Sequence, residues 1–349
     1  MYRNTYVNIY LNNIKENVEK IIKTYNDYKY HIGVVKADSY GHNGSSVIKS
    51  IIDGGCNYLA VSSLDEALEI RKDFDIPILC LGIINEKYME VCSKNSIDVT
   101  VTNLEYLKKI KDYKLNIHIK IDTGMNRLGV KDKEEFSKMI DIINDSNLYL
   151  KGIFTHIYKA TDQELTDKQI SKFKEITSYI DLKTIDMVHI PQSDTLVNHE
   201  KIDFVNGCRL GIIMYGLTDN HLDLKNTFEF CSEIIEIKKL KKGETVSYDG
   251  IYKADNDELI GIVSAGYADG INRKLSGENI YINNKKYKII GKICMDMFMV
   301  KIDDSVKLYD KVYIYKDINH IINLSKYLDT IPYELLCNVS KRVPRIYVN

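Results

Sequence analysis

The chain has 349 residues, a length that suits either one large barrel or two domains. Its 48 basic residues nearly balance 49 acidic ones, so we expect neither a nucleic acid nor an anionic membrane as a partner. With 44% hydrophobic and 28% charged residues, the composition is that of an ordinary globular protein, and a small-molecule role is favoured.

The N-terminus and the cysteines both bear on the cellular compartment. The N-terminal segment lacks the apolar core of a signal peptide, and no apolar run reaches the ~18 residues of a transmembrane helix. Seven cysteines are scattered without a CxxC pair, and eight histidines show no HxxxH or HxH spacing. We therefore expect a cytoplasmic protein with reduced thiols and no metal site.

Short apolar runs alternate with amphipathic segments over the first two thirds of the chain. Helical patterns separate most of the runs, such as LDEALEIRKDF after residue 63. Strands buried on both faces and separated by helices predict a (β/α)8 TIM barrel, with a doubly wound sheet as the alternative. The eight predicted strands lie at 32–37, 58–63, 77–82, 98–103, 117–122, 152–157, 187–192 and 211–216.

After about residue 217 the pattern changes to strand-like segments joined by polar turns. Examples are ELIGIVSAGYA, ENIYINNKKYKIIGKI and KVYIYK, which show little helical period. They predict a C-terminal, mainly antiparallel β domain. We therefore divide the chain into a barrel at 1–225, whose first strand is able to pack with the β domain, and a β domain at 226–349.

Several polar residues fall near the predicted ends of the barrel strands. Lys36, Lys120, His156 and Ser193 lie at or close to such ends, and Arg209 lies just before the last predicted strand. Chemistry in this fold takes place at the carboxyl ends of the strands. The segment VVKADSYGHN, which contains Lys36, is therefore a candidate site.

The residues around Lys36 have the chemistry of an aldehyde-binding pocket. A lysine amine in apolar surroundings loses its proton more readily, which suits it to react with an aldehyde. The hydroxyl groups of Tyr40 and Ser193 are hydrogen-bond donors for a phosphate, and so are the backbone N–H groups of GIIM (211–214), which begins with Gly211 and Ile212. The pattern is consistent with a pyridoxal phosphate pocket, and the alternative is a solvated lysine that only anchors a strand end.

Longer motifs give this interpretation a family. From its first strand to its last residues the sequence resembles bacterial alanine racemases of the pyridoxal-phosphate barrel class. The motifs that carry the resemblance occur in the family's order: VVKADSYGHN (34–43), KIDTGMNRLGV (120–130), CRLGIIMYGL (208–217), VSYDGIYKA (246–254), SAGYADGINR (264–273), GKICMDMFMV (291–300) and SKRVPR (340–345).

The resemblance implies a role for each matching residue. Lys36 would bind the cofactor and act as one base, and Tyr248 would act as the second base on the opposite face of the substrate. Arg209 would face the pyridine nitrogen as a cation that donates a hydrogen bond without protonating the ring. Arg127 would contact the cofactor and the substrate carboxylate, and Lys120 resembles a lysine that the family carbamylates.

The family also implies a homodimer with shared active sites. Its counterparts of Tyr248, Tyr267 and Met295 come from the β domain of the partner subunit, where Tyr267 and Met295 would contact the substrate. His156, in the cofactor pocket, would support Arg209. A lone tyrosine among the 26 of this chain would otherwise be read as packing.

The sequence departs from the family's common pattern at a few places around the pocket. Gln192, Asp194 and Asn126 replace residues common in relatives, and THIYKATD carries larger residues after its histidine. Lys341 stands where some members have a tyrosine that contacts the phosphate, which an ammonium could replace electrostatically. These changes bear on the choice of substrate and leave the reaction type intact.

The sequence is compatible with three functions. The leading hypothesis is an alanine racemase that supplies D-alanine for cell-wall precursors. A serine or broad-specificity amino-acid racemase of the same fold is the first alternative, because a hydroxymethyl group needs little more space than a methyl. The second is a protein that binds pyridoxal phosphate without turnover, which predicts neither a second base nor a β domain.

Overall fold

The computed structural model describes residues 2–218 and 222–349. Within these residues the chain forms a closed parallel barrel, an eight-stranded sheet and a small two-stranded sheet. The first strand, β1 (Tyr6–Tyr10), belongs to the eight-stranded sheet and leads into a helix at Leu11–Thr24. No helix of the described residues is both long enough and apolar enough to cross a membrane.

Eight parallel strands close the barrel, as the alternating apolar runs predicted. Most of their residues are buried, because helices cover the outside and side chains fill the inside. The barrel closes where the first of these strands pairs with the last, Tyr30 opposite Gly207. The strands are β2 (Tyr30–Val34), β3 (Tyr58–Val61), β4 (Ile78–Cys80), β5 (Ile97–Val101), β6 (Leu115–Lys120), β7 (Leu148–Phe154), β8 (Met187–His189) and β9 (Gly207–Leu210).

The eighth barrel strand was predicted in the wrong place. We expected it at 211–216, but β9 ends at Leu210 and the apolar run GIIMYG forms a 3-10 turn, Ile212–Tyr215. The turn ends at Gly216, whose φ of 76° lies in the left-handed region. The four residues of the turn are nevertheless buried, and a buried segment is apolar whether it forms a strand or a turn. Arg209 consequently lies inside the last strand rather than before it.

Helices connect the barrel strands and cover the barrel. The helix Leu11–Thr24 buries Ile14, Val18 and Ile21, which the helical period places on one face. Ser63 caps the helix that follows β3 in a reciprocal capping box with Glu66. The other α-helices of the described barrel are Ser45–Asp53, Leu64–Arg71, Met89–Lys94, Leu104–Ile110, Lys133–Asn144, Gln163–Thr177 and Ser193–Asn198, with 3-10 turns at Glu86–Tyr88 and Leu182–Thr184.

The C-terminal part of the chain is the predicted β domain. Its strands are β10 (Phe228–Leu240), β11 (Thr245–Val246), β12 (Tyr252–Lys253), β13 (Glu258–Val263), β14 (Asn279–Ile282), β15 (Lys285–Ile290), β16 (Phe298–Ile302), β17 (Lys311–Tyr315) and β18 (Arg345–Val348). All pairs among β10–β17 are antiparallel, whereas β18 runs parallel to β1. The domain also contains the helices Ile318–Tyr327 and Pro332–Cys337 and the 3-10 turns Tyr248–Gly250, Tyr267–Asp269 and Arg273–Leu275.

The N-terminal segment ties the two parts of the chain together. Strand β1 pairs with β10 on one side and with β18 on the other, so it is a strand of the β-domain sheet. Arg3 donates to the buried carboxylate of Asp269 over 2.9 Å, and Arg342 donates to the same oxygen over 2.7 Å. The boundary that we propose between 225 and 226 falls just before the long strand β10.

Candidate active site

A cavity of about 550 Å³ opens at the carboxyl ends of the barrel strands. Basic and hydroxyl-bearing side chains from different strands meet there, although they are far apart in the sequence. Its wall includes all the barrel residues predicted for the site, namely Lys36, Tyr40, Lys120, Arg127, His156, Ser193, Arg209, Gly211 and Ile212.

Lys36 begins an unusual turn directly after β2. Residues 37–40 all have φ between 52° and 55°, in the left-handed region, and none of them is glycine. Such a conformation costs about 1–2 kcal/mol per L-residue, so surrounding contacts have to hold it. Within the turn, Gly41 N–H donates to Ala37 O over 3.0 Å and Asn43 N–H to Asp38 O over 2.7 Å. The turn takes the chain away from the strand and leaves Lys36 in the cavity wall.

The amine of Lys36 lies among cations and is largely withdrawn from water. Burial lowers the pKa of Lys36, and the nearby charge of Arg127 lowers it further. The carboxylate of Glu66 opposes this shift. A larger fraction of the amine is therefore neutral, and so nucleophilic, than in a solvated lysine.

Hydroxyl and amide groups converge at one corner of the cavity. Ser193 Oγ accepts hydrogen bonds from the backbone N–H of Gly211 over 3.2 Å and of Ile213 over 3.4 Å. A Cβ atom at position 211 would lie only 2.9 Å from the hydroxyl of Tyr40 and 3.4 Å from Ser193 Oγ. Glycine thus leaves space between two hydroxyl groups, an arrangement that fits an anion such as phosphate. Tyr215 and Tyr333 pack on the ring of Tyr40 at centroid distances of 5.6 and 5.7 Å and fix its position.

Arg209 is almost fully buried behind this corner. Its guanidinium donates to His189 Nδ1 over 2.8 Å and to the carbonyl oxygens of His189, Thr155 and Ile190 over 2.7–2.9 Å. Burial lowers the pKa of Arg209 to about 10, so the group stays a cation at neutral pH. These acceptors hold the plane of the guanidinium in the cavity wall.

A chain of buried polar groups continues from Arg209 into the barrel. His189 Nε2 lies 3.1 Å from His118 Nδ1, and His118 Nε2 lies 3.5 Å from the carboxylate of Asp98. Because the guanidinium can only donate, His189 Nδ1 accepts and its proton resides on Nε2, directed at His118. Burial acts to raise the pKa of Asp98, but the adjacent imidazole of His118 and hydrogen bonds from Tyr58 and Asn116 hold it below its usual range. Asp98 is therefore an anion at the far end of this series of buried polar groups.

Sequence reasoning missed His189, His118 and Asp98, and it assigned the support of Arg209 to His156. The structure places His189, rather than His156, at hydrogen-bonding distance from Arg209. His156 lies in the cavity wall, where burial and then the charge of Arg209 lower its pKa to about 3, so it is neutral. The missed signal was a polar residue inside each of three apolar strands, a pattern typical of a buried network.

Lys120 and Arg127 also line the cavity. Lys120 Nζ donates to Ile121 O over 3.3 Å, and burial, followed by the charge of Arg209, lowers the pKa of Lys120 to about 7. Asp122 Oδ1 accepts from the backbone N–H of Gly124 and Asn126, each over 3.0 Å. These two bonds shape the loop that carries Arg127 and hold Asp122 beside Lys120.

The three site residues predicted in the β domain do not line the cavity of their own chain. Tyr248, Tyr267 and Met295 are 64%, 41% and 53% exposed. Tyr267 and Met295 are neighbours, because Tyr267 N–H donates to Cys294 O over 3.0 Å and Ala268 N–H to Met295 O over 3.0 Å.

The residues that depart from the family pattern fall into two groups. Gln192, Asp194 and Tyr158 line the cavity. Lys341 does not line it: its side chain is 90% exposed and its ammonium lies 3.5 Å from the carboxylate of Asp38. The idea that Lys341 replaces a phosphate contact has no support in this geometry.

The fold and the cavity together define a class of protein. A parallel barrel with a lysine, an anion corner and a buried arginine at its strand ends, joined to a C-terminal β domain, is typical of barrel enzymes whose chemistry is carried by a bound cofactor. Family models sharpen this: "Alanine racemase, N-terminal domain" matches residues 9–219, and "Alanine racemase, C-terminal domain" matches residues 227–347. The chain belongs to the alanine racemase family.

Individual relatives agree with the family assignment. The chain is 37% identical to alanine racemase 1 of Bacillus subtilis and 35% identical to an alanine racemase of Staphylococcus saprophyticus. These alignments cover 99% of this chain and 94% and 95% of the relatives. Among solved structures, alanine racemase from E. faecalis has a TM-score of 0.94 at 30% identity, covering 99% of both chains. That from Bacillus anthracis, with bound L-Ala-P, has a TM-score of 0.92 at 31% identity, covering 100% of this chain and 96% of the other.

Proposed function

We propose that this protein is a pyridoxal-phosphate-dependent racemase that interconverts L-alanine and D-alanine. The observation that carries the proposal is the amine of Lys36, whose pKa is lowered by burial, in a cavity that also holds an anion corner and Arg209. Relatives named alanine racemase match the chain over nearly its whole length. Their substrate is extended to this chain on that basis.

The cavity fits the cofactor group by group. The amine of Lys36 would bind the aldehyde, and Tyr40, Ser193, Gly211 and Ile212 would hold the phosphate. The space left by the missing Cβ of Gly211, between two hydroxyl groups, is the feature that supports this fit. When bound, pyridoxal phosphate supplies an electron sink that makes the α-hydrogen of the amino acid acidic.

Arg209 would face the ring nitrogen of the cofactor. It remains protonated, and its four hydrogen-bond acceptors in the barrel fix its orientation. A guanidinium donates a hydrogen bond without giving up its proton, so the ring would remain uncharged. An uncharged ring is a weaker electron sink, and this favours return of the proton to the α-carbon over side reactions.

Racemisation needs proton transfer on both faces of the substrate, and one lysine cannot reach both. Lys36 would take or give the proton on one face. Tyr248 would do so on the other face, as a residue of the partner subunit. The support for this assignment is the position of Tyr248, which is exposed in the β domain and does not line its own chain's cavity.

The assembly that follows is a homodimer with two shared active sites. Tyr267 and Met295 would join Tyr248 in the partner's site and contact the substrate. Their exposure, together with that of Ile251 and Met297, is consistent with a surface that a second copy covers. A two-fold axis would place each β domain over the other subunit's barrel.

Arg127 would bind the carboxylate of the substrate and contact the cofactor, and Lys120 would hold Arg127 in place after carbamylation. In this step a neutral lysine amine attacks CO2, and a carbon–nitrogen bond forms as one carbon–oxygen π bond of CO2 opens to a carboxylate. The nitrogen releases one proton to solvent. A pKa of about 7 leaves roughly half of the Lys120 amine neutral at neutral pH. The product carries a negative charge among the cations of the cavity wall, Arg209 and Arg127.

One observation favours serine as a second substrate. Gln192 and Asp194 place an amide and a carboxylate in the cavity wall, where a hydroxymethyl side chain would find hydrogen-bond partners. We propose alanine as the preferred substrate, because the named relatives at 33–37% identity are alanine racemases. A location in the cytoplasm is supported by seven free cysteines, all within the described residues. The proposed reaction would there supply D-alanine for peptidoglycan.

The test measures formation of D-alanine from L-alanine by purified protein, and the reverse reaction. We expect both to approach an equal mixture, and we expect Lys36→Ala to abolish them while the surface variant Lys29→Ala stays active. Borohydride reduction should fix the cofactor on the peptide that contains Lys36. Cofactor recovered on another lysine, or a preference for serine over alanine in kcat/KM, would contradict the proposal.

A further inference from the structure

Glu66 contacts the turn that carries Lys36, although it comes from the next barrel unit. It lies in the helix Leu64–Arg71, which follows β3, the neighbour of β2 in the barrel. Its side chain crosses from this unit to the segment directly after Lys36. No motif in the sequence singled it out.

Both carboxylate oxygens of Glu66 are used. Oε1 accepts a hydrogen bond from the backbone N–H of Ala37, which is the first left-handed residue of the turn, over 2.7 Å. Oε2 accepts from the backbone N–H and the hydroxyl of Ser62 over 2.8 and 2.9 Å, and from Ser63 N–H over 3.3 Å. The carboxylate thus links the start of the strained turn to the end of the adjacent strand.

The charge of the same carboxylate also acts on the amine of Lys36. Four charged or titratable groups act on that amine: Arg127 and Arg209 lower its pKa, and Glu66 and Cys337 raise it. Of these, Glu66 is the only carboxylate. The other titratable groups around the cavity are Tyr40, Lys120, His156, Tyr158, Asp194 and Tyr333.

We propose that Glu66 is a positioning residue for Lys36: the carboxylate of Glu66 holds the left-handed turn that follows Lys36 and supplies a negative charge that acts on its amine. The proposal rests on the proposed function only in giving Lys36 its catalytic role. A neutral residue at 66 would remove the charge and leave one of the backbone N–H groups unmatched, because an amide has a single acceptor oxygen.

The chain offers a matched control in Glu135. It lies in the helix Lys133–Asn144, and its Oε1 accepts from the backbone N–H of Leu104, the first residue of the helix in the neighbouring unit, over 2.9 Å. Glu135 does not line the cavity. Glu135→Gln therefore weakens a similar brace between two barrel units without a change near Lys36.

The experiment compares the full-length wild type, Glu66→Gln and Glu135→Gln after removal of the cofactor by dialysis. Trace acetylation of Lys36 is measured by mass spectrometry from pH 6 to 9, with the exposed Lys23 as an internal standard. We expect Lys36 of Glu66→Gln to react at pH 7 up to about tenfold faster than the wild type, because loss of the carboxylate lowers the pKa of the amine further. The Glu135→Gln profile should follow the wild type, and a Glu66→Gln profile that does so too would overturn the proposal.

Glu66→Asp separates the effect of the hydrogen bonds to Ala37 and Ser62, the brace, from the effect of the negative charge. It also tests the brace if Glu66→Gln does not fold. Aspartate keeps the charge but is one methylene too short to reach Ala37 and Ser62 together. We expect an acetylation profile near that of the wild type, with about tenfold faster loss of the bound cofactor on dilution. Unchanged retention of the cofactor would refute the brace. Because acetylation needs no turnover, a protein that fails to racemise alanine would refute the proposed function and leave this result intact.

Discussion

Arg209 donates a hydrogen bond to His189 Nδ1 over 2.8 Å, and this contact fixes the proton of a buried histidine. Since an arginine only donates, the imidazole must present a bare nitrogen to it. The proton then lies on Nε2 and is directed to His118, behind which stands the carboxylate of Asp98. The arginine that would face the cofactor is therefore oriented by groups well inside the barrel.

Replacing His189 should reduce activity without preventing cofactor attachment. In His189→Leu the guanidinium loses one acceptor, so its position relaxes and racemisation should fall by up to about a hundredfold. The free energy of unfolding should fall by about 1–3 kcal/mol. Steady-state kinetics and urea unfolding measure the two effects.

The control for this variant is His31→Gln. His31 is also a buried barrel histidine, but it lies in β2 near its start, away from the cavity, with Nε2 3.0 Å from Tyr25 O. It should lose stability and keep its kcat. If both variants lose activity only in proportion to stability, His189 has no positioning role.

Stability should decrease as the pH falls below about 6.5. The pKa values of His42 and His156 are lowered to about 3, first by burial, and that of His189 is also well below its usual value. The native state keeps these groups neutral while the unfolded chain binds protons below about pH 6.5. Stability is therefore complete above that pH and declines toward pH 3, by up to about 1.4 kcal/mol per pH unit for each histidine.

Urea unfolding between pH 4.5 and 7 measures this slope. His42→Gln should reduce it by the share of one histidine, because His42 is fully buried and stacked on Tyr215 at a centroid distance of 4.0 Å. An unchanged slope in this variant would mean that His42 is protonated in the native state.

Carbamylation of Lys120 should depend on dissolved CO2. Protein equilibrated with ¹³C-bicarbonate should show a carbamate signal by NMR, and removal of CO2 should lower racemase activity reversibly. Lys120→Arg keeps a positive charge but forms no carbamate, so it should show neither the signal nor a response to CO2. A wild-type protein without the signal, at full activity, would exclude the modification.

Mixed dimers should test whether the active sites are shared. Lys36→Ala removes one base and Tyr248→Phe the other, so each variant alone should be nearly inactive. After subunit exchange, half of the dimers should be mixed with one intact site each, giving roughly a quarter of wild-type activity. Activity that remains absent after exchange, confirmed by mass spectrometry of tagged subunits, would show that Tyr248 acts within its own chain or not at all.

Much of the architecture follows from the sequence alone. Apolar runs separated by amphipathic segments predicted the parallel barrel, and polar turns between strand-like segments predicted the β domain. These predictions work because a strand buried on both faces is a continuous apolar run, whereas a strand buried on one face alternates apolar and polar residues. The basic residues placed near predicted strand ends line one cavity, since parallel strands of a barrel end at the same face.

Other features depend on contacts between distant residues and left no local pattern. His118 and His189 are 71 positions apart, and Glu66 reaches Ala37 across 29 positions, so only the closed barrel brings them together. The run GIIMYG forms a turn rather than a strand, because burial by itself does not distinguish the two. The periodicity of a sequence shows which faces of its strands and helices are buried. The partner of each buried polar group depends instead on how strands that are distant in the sequence pack together.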